Sequence, residues 1–458
     1  MRRFKKILTV FLILLLVILA GGFWYAWHAF PAVSGYGAKD MCSAIYLQHR
    51  NPSDITKDYQ DEFPLSIGEF TWNQKDSSVT GSVWGFAKRK AIYRQFIGCT
   101  LVNDFTENEI RAQHFDKPTA PEINSDTVAW PYGDKLNESF PAELNKSLLD
   151  KAVDNVLNET KDDKPVYTRA VLVVYNGQIV AEKYAPGFDK HTVMLGWSMS
   201  KSLTAALIGI LVKQGKLSVN DPAPVPEWKD NKKEAIKLLH LLQQTSGLDF
   251  KENYSWPSEV TDMLFNKGDM AAYTAALPLK YEPGKVFNYS SGNSNILSRI
   301  IRNTVGENEY TGFPYRALFH KINAYSFLLE PDASGTYIGS SYSYATARDF
   351  ARFGLLYYNN GWWNGEQILP GNWVEESIQP SAADRQKKYG YQFWLNGYQE
   401  KDSTKHLYPD VPGDMYNADG YGGQDVYIIP SKKLVVVRLG LHKINENKFL
   451  KEVIASLK

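Results

Sequence analysis

The chain has 458 residues, which is more than one compact core usually holds, so a large domain plus an additional segment is expected. Hydrophobic residues make up 44% of it and charged residues 22%, a composition that excludes a disordered chain and allows a substantial core. The 51 Lys and Arg residues balance 50 Asp and Glu residues, which leaves a formal net charge of +1. No strong field exists to attract nucleic acid or an acidic polymer, so no nucleic-acid partner is expected.

The first thirty residues differ from the rest of the chain. Basic residues precede an almost wholly apolar run from Ile7 to about Trp27, which is long enough as a helix to cross roughly 30 Å of hydrocarbon. The basic side should remain in the cytoplasm, so residues 1–30 are predicted to be a transmembrane anchor with an extracytoplasmic body, periplasmic or at the cell surface. A cleaved signal peptide is the competing interpretation, although the small residues at 20–22 are followed by aromatic ones and make a poor cleavage site.

Both cysteines of the chain, Cys42 and Cys99, lie beyond the apolar run. An oxidising compartment allows them to pair, and a disulfide is favoured over two buried free thiols. Closing so long a loop would stabilise the fold by about 4 kcal/mol in the chain-entropy model. The bond would brace the N-terminal segment and not the chemistry.

Residues 31–141 are predicted to form a small lead-in domain. Short β-like runs and turns alternate there without a long helical period. The stretch 117–138 contains three prolines and several Asn and Asp residues, which is typical of a surface linker. The boundary with a larger domain, residues 142–458, is therefore expected near Pro141.

The larger domain has regular patterns at its beginning. A short polar helix is predicted over 142–158. Two apolar, β-branched or aromatic runs at 170–175 and 178–184 flank Asn176-Gly177, the strongest short hairpin signal. These runs are expected to be adjacent antiparallel strands.

A similar pattern occurs near the C-terminus. Two runs at 425–429 and 433–439 predict a second hairpin, and an amphipathic helix is expected from about 445 to 457. Strands at both ends of the domain with helices between them predict an α+β fold. In this fold the two ends of the domain share one antiparallel sheet.

The motif Ser198-Met199-Ser200-Lys201 begins an apolar helix predicted over 198–214. Residues three apart lie on the same helical face, so the Lys201 amine can reach the Ser198 hydroxyl. Partial burial would lower the pKa of the lysine and make its neutral amine available to accept the serine proton. Backbone N–H groups at the helix N-terminus point toward developing negative charge. Because the motif is short, a serine cap followed by a surface lysine is the alternative.

The larger domain contains six short segments whose joint order is far more specific than any one of them. They are Gly196–Thr204, Gly215–Pro222, Leu241–Leu248, Pro283–Gly292, Thr346–Gly354 and Gly420–Gln424. On these segments, the chain from about Val166 onward resembles class C β-lactamases, penicillin-recognising esterases and aminohexanoate-dimer hydrolases. The resemblance implies a β-lactamase/transpeptidase-like fold, with an antiparallel sheet flanked by helices and an all-helical subdomain. It also implies a hydrolase without a metal or organic cofactor.

The resemblance assigns the catalytic tyrosine to Tyr289. A phenol near a lysine ammonium ionises more easily, so Tyr289 would relay protons to the leaving group and later activate water for deacylation. The lactamases usually have Tyr-x-Asn here, whereas this chain has Tyr289-Ser290-Ser291. Ser291 would still donate a hydrogen bond, and the loss of the amide argues against recognition of a lactam side chain.

The active-site strand departs further from the lactamases. Where they carry Lys-Thr-Gly, whose cation binds the substrate carboxylate, this chain has Ala418-Asp419-Gly420. An acid there would repel an anionic β-lactam and attract an amine-bearing substrate. A backbone N–H near Tyr421 would complete an oxyanion hole with the Ser198 N–H. The residues expected to bind the oxyanion or the substrate are Tyr421, Gly420, Ser291 and Asp419.

Together these residues predict a serine hydrolase, an esterase or amidase, that acts on a small ester, linear amide or peptide through an acyl-enzyme. Lys201 would deprotonate Ser198, backbone amides would hold the oxyanion, and Tyr289 would assist deacylation, with Tyr289 as the alternative principal base. The eight histidines show no paired metal-ligand spacing, so no metal site is expected. A D-alanyl peptidase of the penicillin-binding type, or a non-catalytic, membrane-tethered envelope binding protein with the same fold, are the alternatives.

Overall fold

The computed structural model describes residues 2–60, 63–255 and 257–457. Helices and antiparallel strands alternate through it, as in an α+β protein. The α-helices of these residues are, in chain order, α1 (Arg2–Cys42), α2 (Pro52–Gln60), α3 (Glu107–Ala112), α4 (Lys146–Leu157), α5 (Met199–Lys213), α6 (Leu238–Leu242), α7 (Glu259–Asn266), α8 (Met270–Ala276), α9 (Ser291–Val305), α10 (Glu307–Tyr310), α11 (Ala347–Tyr358), α12 (Trp373–Ser377) and α13 (Glu446–Ala455). The strands are β1 (Gly68–Asn73), β2 (Ser78–Val83), β3 (Phe86–Arg94), β4 (Gly98–Leu101), β5 (Thr160–Lys161), β6 (Lys164–Pro165), β7 (Thr168–Tyr175), β8 (Gln178–Tyr184), β9 (Met194–Leu195), β10 (Leu328–Leu329), β11 (Ser343–Ala345), β12 (Trp362–Trp363), β13 (Glu366–Gln367), β14 (Trp394–Leu395), β15 (Tyr398–Gln399), β16 (Asp402–His406), β17 (Tyr416–Gly420), β18 (Gln424–Ile429) and β19 (Leu434–Gly440).

The described residues form two compact units. Unit 1 consists of the chain up to Ala112 together with two short segments from later in the sequence, 251–269 and 332–334. Unit 2 contains the remaining residues, beginning at Gln113. Unit 1 is therefore not a simple N-terminal extension, because segments from within the larger domain complete it.

The proline-rich stretch 117–138 belongs to unit 2, whereas the sequence suggested a linker ahead of a boundary near Pro141. A buried arginine of α11 explains this placement. The Arg352 guanidinium donates to the carbonyl oxygen of Pro131 at 2.8 Å and to that of Gly133 at 2.7 Å. These hydrogen bonds join the backbone of the stretch to α11, so the stretch packs as part of unit 2.

Unit 1 packs one long helix against an antiparallel sheet with the strand order β1-β2-β3-β4. Helix α1 continues past residue 30 to Cys42. Its last turns, from Val33 onward, are largely buried and pack against β2 and β3. Cys42 at its end forms the predicted disulfide with Cys99 of β4, and the two Cα atoms are 6.1 Å apart. The disulfide therefore joins the end of the long helix to the last strand of this sheet.

Unit 2 is organised around a six-stranded sheet with the order β14-β17-β18-β19-β7-β8. Strands β7 and β8 form the hairpin predicted around Asn176-Gly177, and β18 and β19 form the second predicted hairpin. Strand β19 pairs with β7 in antiparallel register, so that Val436 lies opposite Val173. The two ends of the domain therefore share one antiparallel sheet, which confirms the predicted α+β architecture.

Helices cover both faces of this sheet. The predicted terminal helices, α4 and α13, pack on one face over side chains such as Val171 and Val436. Helices α5 and α11 lie on the other face, over side chains such as Leu172 and Val437. Because successive residues of a strand point to opposite faces, each strand contributes to two separate cores. Helix α5 matches the helix predicted over 198–214 and is buried along nearly its whole length.

Candidate active site

Ser198 and Lys201 meet at the N-terminal end of α5. Ser198 occupies the N-cap position and Lys201 lies one turn later, so their side chains share a helical face. The Lys201 Nζ donates a hydrogen bond to the Ser198 Oγ at 2.9 Å. Ser198 is partly exposed, whereas Lys201 is 1% exposed. The arrangement is that of an accessible hydroxyl with an enclosed amine beside it.

The Lys201 amine is also held by atoms outside its own helix. Its Nζ donates to the Oγ of Ser291, at the start of α9, at 3.1 Å. It donates as well to the backbone oxygen of Ser340 at 3.0 Å. The centroid of the Tyr289 ring lies 4.9 Å from the same nitrogen. Two segments that are distant from α5 in sequence, residues 289–291 and Ser340, therefore fix the amine beside the serine.

The second serine of the motif, Ser200, holds the turn that precedes α5. Its Oγ lies 2.7 Å from the backbone oxygen of Trp197 and accepts a hydrogen bond from the Ser343 N–H at 3.0 Å. Trp197 has φ +46°, a left-handed conformation that is costly for a bulky residue and persists only where the surroundings hold it. Ser200 thus positions the backbone that presents Ser198.

Strand β17 ends beside the same turn. A Cβ added at Gly420 would lie 2.2 Å from the carbonyl oxygen of Gly196, so a side chain is excluded at this position. The next residue, Tyr421, is 59% exposed, and its ring meets the Trp197 ring edge-on with centroids 5.9 Å apart. The backbone N–H groups of Ser198 and Tyr421 therefore belong to adjacent segments, as an oxyanion hole requires.

A buried arginine that the sequence analysis did not single out holds the turn after β17. Arg438 of β19 is fully buried and donates to the carbonyl oxygens of Gly422 at 3.0 Å and Gly423 at 2.7 Å. It also donates to the Oγ1 of Thr168 at 2.7 Å. Burial lowers the pKa of Arg438 to about 10, which keeps the guanidinium charged at neutral pH. The sequence contains one indication of this role, because Arg438 is a charged residue within the otherwise apolar run that forms β19.

Tyr289 is half-buried among aromatic rings. It stacks on Trp394 with ring centroids 5.2 Å apart and meets Tyr389 edge-on at 5.6 Å. Tyr389 and Trp394 in turn contact each other edge-on at 4.9 Å. Because these three rings pack together, Tyr389 and Trp394 hold the Tyr289 ring in its position near the Lys201 amine.

A buried amide braces the segment that carries Tyr289 and Ser291. The Oε1 of Gln244 accepts hydrogen bonds from the Ser290 N–H at 3.1 Å and from the Nδ2 of Asn293 at 2.8 Å. Gln244 is fully buried and has φ +59°. No local pattern predicts this role, because nothing in the sequence around Gln244 indicates a partner more than forty residues away.

Asp419 lies away from this constellation. Ala418 faces the core on the α5 side of the sheet, and alternation directs Asp419 to the opposite face. There, oxygen atoms of Asp419, Asp425 and Glu446 all lie within 4.8 Å of one another. Burial raises the pKa of both Asp419 and Asp425, and the Lys443 Nζ lies 3.7 Å from the Asp419 Oδ2. This side-chain direction gives no support to the attraction of an amine-bearing substrate that the sequence suggested.

Comparison with known proteins agrees with this fold. The Beta-lactamase family model matches residues 153–443. The 6-aminohexanoate-dimer hydrolase of Paenarthrobacter ureafaciens is 26% identical over 295 residues, which cover 59% of this chain and 72% of that protein. A structure from Bacillus anthracis, provisionally assigned as a 6-aminohexanoate-dimer hydrolase, aligns with a TM-score of 0.55 and 21% identity over 70% of this chain and 86% of that one.

A family VIII carboxylesterase structure aligns with a TM-score of 0.52 and 15% identity over 71% of this chain and 100% of that chain. At these identities the two solved structures establish the fold alone. The family model, by contrast, spans well over half of the sequence. The chain therefore belongs to the β-lactamase family of serine hydrolases.

Proposed function

We propose that the protein cleaves a carboxylic ester or a linear amide through an acyl-enzyme, with Ser198 as the nucleophile and Lys201 as its proton acceptor. The observation that carries the proposal is the 2.9 Å hydrogen bond between the Lys201 Nζ and the Ser198 Oγ, formed where the hydroxyl is accessible and the amine is not. Burial disfavours the charged form of an amine. The three hydrogen bonds that Lys201 donates are those of an ammonium, so Lys201 must release a proton before it can accept the one from Ser198.

In the acylation step, the Ser198 Oγ attacks the carbonyl carbon and its proton passes to the Lys201 Nζ. The N–H groups of Ser198 and Tyr421 stabilise the oxyanion. When the tetrahedral intermediate collapses, the bond to the leaving alcohol or amine breaks, and the proton reaches that group through the Tyr289 hydroxyl. Water then attacks the serine ester and gives up a proton by the same route, and Ser198 regains its own as the acid departs.

The walls of the site favour a neutral acyl group over a β-lactam. Ala418 stands where lactamases carry a lysine, and Ser291 stands where they carry an asparagine. Aromatic rings of Trp197, Tyr289 and Tyr421 line the region instead. By their names, one relative is a hydrolase of the 6-aminohexanoate dimer and one structural neighbour is a carboxylesterase. These features support an esterase or amidase over a β-lactamase.

Covalent labelling of the full chain tests the proposal. A fluorophosphonate probe should label the parent protein once and leave Ser198→Ala unlabelled, as measured by intact mass. Ser202→Ala is the matched control, because this buried serine lies on the same helix and donates to the backbone oxygen of Gln392 at 2.6 Å. Labelling that persists in Ser198→Ala would refute the assignment of the nucleophile. A folded parent that no acylating probe labels would favour the non-catalytic binding protein.

A substrate panel distinguishes the hydrolases from one another. We expect turnover of short aryl esters or linear amides that disappears in Ser198→Ala. Release of D-alanine from muropeptides at a comparable rate would instead favour the D-alanyl peptidase. The small-residue replacement of the lactamase asparagine by Ser291 predicts that nitrocefin is a poor substrate.

We also propose that α1 anchors the enzyme in a membrane, with both units on the extracytoplasmic side. An 18-residue window of this helix has a mean hydropathy of 2.8 and is wholly exposed. Basic residues precede it, and the Cys42–Cys99 disulfide fits an oxidising compartment. A cleaved signal sequence would share these properties. Retention of full-length protein in carbonate-washed membranes, with digestion of the body by protease added outside, is expected; a shortened protein in the supernatant would contradict the anchor.

A further inference from the structure

We propose that the tip of the β2–β3 hairpin, residues 84–87, inserts into the lipid–water interface of the bilayer that α1 crosses. The proposal rests on the membrane anchor proposed above and is independent of the hydrolase chemistry. It concerns unit 1 alone. The partner is the interfacial layer of a phospholipid bilayer, which accepts aromatic rings together with cationic side chains.

The hairpin tip lies at the end of unit 1 from which α1 enters. The Trp84 ring meets the Phe30 ring edge-on, with centroids 5.4 Å apart. At the other end of the same sheet, the hydroxyl of Tyr46, beyond the end of α1, donates to the backbone oxygen of Asn73 at 3.0 Å. The chain from Phe30 to Tyr46 thus runs along the sheet from the hairpin tip to its opposite end.

The tip is close to the end of the apolar span. The apolar run ends at about Trp27, three residues before Phe30, and a helix rises about 1.5 Å per residue, so the two levels are about 4.5 Å apart. Trp24 and Trp27 are suited to the interface itself, where amphipathic rings settle. The Trp84 ring, level with Phe30, is therefore within reach of the headgroup layer.

Aromatic rings are exposed at this end of the sheet. Trp84 is 63% exposed and Phe86 is 70% exposed. Phe63 is 75% exposed and precedes β1, whose first residue, Gly68, lies opposite Val83 at the end of β2. The Trp84 and Phe86 rings thus lie at the end of the sheet that is next to Phe30, and Phe63 precedes the strand that begins there. Such a group of exposed rings marks an interaction surface.

The charge pattern around the tip fits a bilayer interface. Residues 77–87 contain no charged side chain, and cations begin at Lys88. Lys88 is exposed and has no ion-pair partner within the part of the chain that the structure describes. An uncharged aromatic tip followed by an available ammonium places rings at the acyl boundary and a cation at the phosphates. This combination favours an anionic bilayer over a protein partner.

Site-directed quenching in nanodiscs tests the proposal on the full chain. Because Cys42 and Cys99 are bonded to each other, a single added cysteine can be labelled with an environment-sensitive fluorophore. The bilayers contain phosphatidylcholine and phosphatidylglycerol, with or without lipids that carry a doxyl quencher. A label in Trp84→Cys is expected to lose about half of its fluorescence or more to the quencher, as an interfacial group should.

Two further variants make the result decisive. Phe96→Cys is the matched control, because Phe96 is 64% exposed at the β3–β4 turn, away from the tip, and should show no quenching. Trp27→Cys reports on the anchor. Quenching at 27 without quenching at 84 would overturn the proposal and leave the anchor intact, whereas no quenching at 27 would remove the anchor itself. Equal quenching at 84 and 96 would also overturn the proposal.

Discussion

The two faces of β17 carry polar groups of opposite kinds. On the α5 side, Ala418 packs in the core and Gly420 leaves room for the carbonyl oxygen of Gly196, two residues before the hydroxyl that Lys201 contacts. On the other side, Asp419 joins Asp425 in an acidic cluster. Neighbouring residues of a single strand therefore belong to sites with different chemistry. The direction of a strand side chain therefore decides whether an aligned position can take part in a reaction.

The two faces also differ in how well their polar atoms are satisfied. The Lys201 amine donates to three oxygen atoms. On the opposite face, the Asn417 Nδ2 donates to the Asp425 Oδ1 at 2.9 Å, whereas the Asp425 Oδ2 is buried without a hydrogen-bond partner among the described residues. Burying a carboxylate in this way is costly. The amine on the α5 face is thus held by three acceptors, whereas the acidic face lowers stability when its carboxyl groups ionise.

Removal of the Lys201 amine should have the largest effect on activity. Lys201→Met is expected to lower kcat/KM for an ester at least about 10³-fold, because the proton acceptor for Ser198 is lost. The helix should persist, since methionine has a similar length and replacing a buried charge by an apolar side chain is often neutral or stabilising. Steady-state kinetics and thermal unfolding of the full chain measure both effects. Activity within tenfold of the parent, in a folded variant, would exclude Lys201 as the base.

The next largest effect on activity is expected where the end of β17 contacts the turn before Ser198. In Gly420→Ala the new Cβ would lie 2.2 Å from the Gly196 oxygen, so the two segments must separate. We expect kcat to fall about 10- to 100-fold with little change in KM, because the oxyanion donors move apart. Gly371→Ala is the control, since a Cβ there meets no atom within 4 Å. Equal behaviour of the two variants would contradict the proposed oxyanion hole.

On the acidic face the expected effect is on stability. Burial raises the pKa of Asp425 in the folded state, and the nearby Asp419 adds to the shift. The folded state therefore binds the proton more tightly than the unfolded chain. This contribution to stability is complete below about pH 4, the pKa of an aspartate in an unfolded chain, and is lost as the pH rises through the folded pKa.

Asp425→Asn should therefore stabilise the fold mainly at high pH. The amide removes the charge and keeps the acceptor for Asn417. We expect an increase of about 1–3 kcal/mol in the free energy of unfolding at about pH 8, and a smaller increase at about pH 5. Urea denaturation at the two pH values measures the difference. An effect of equal size at both values would show that ionisation of this carboxyl group does not govern stability.

The smallest effect is expected from Asp419→Asn on activity. Because the carboxylate points away from the α5 face, discrimination between an amine-bearing ester and its neutral analogue should change less than about twofold. The ratio of kcat/KM for the two esters is the measurement. A tenfold loss of preference for the amine would show that Asp419 faces the substrate in solution, as the aligned motif suggested.

Local patterns predicted the parts of the fold that depend on local geometry. The hairpin at Asn176-Gly177 follows from turn chemistry and strand alternation. The contact between Ser198 and Lys201 follows from a spacing of three residues, which any helix converts into proximity. The sharing of one sheet by both ends of the domain followed from the order of the elements.

Contacts between distant segments could not be predicted in this way. Gln244 and Arg438 act through backbone groups far along the chain, and a sequence without its register does not reveal those partners. The direction of Asp419 depends on the pairing of β17 with β18, which the aligned motif does not specify. The stretch 117–138 has the composition of a linker, and its association with unit 2 depends on an arginine of α11.

The hydrogen bonds of Arg438 have a consequence for biosynthesis. This side chain ties Gly422 and Gly423, near the C-terminus, to Thr168, which lies 270 residues before it in the first strand of the sheet. The backbone donor at Tyr421 is therefore placed after almost the entire domain has been synthesised and β19 has inserted between β18 and β7. A nascent polypeptide accordingly lacks the arrangement of the proposed oxyanion hole until the final strand is in place.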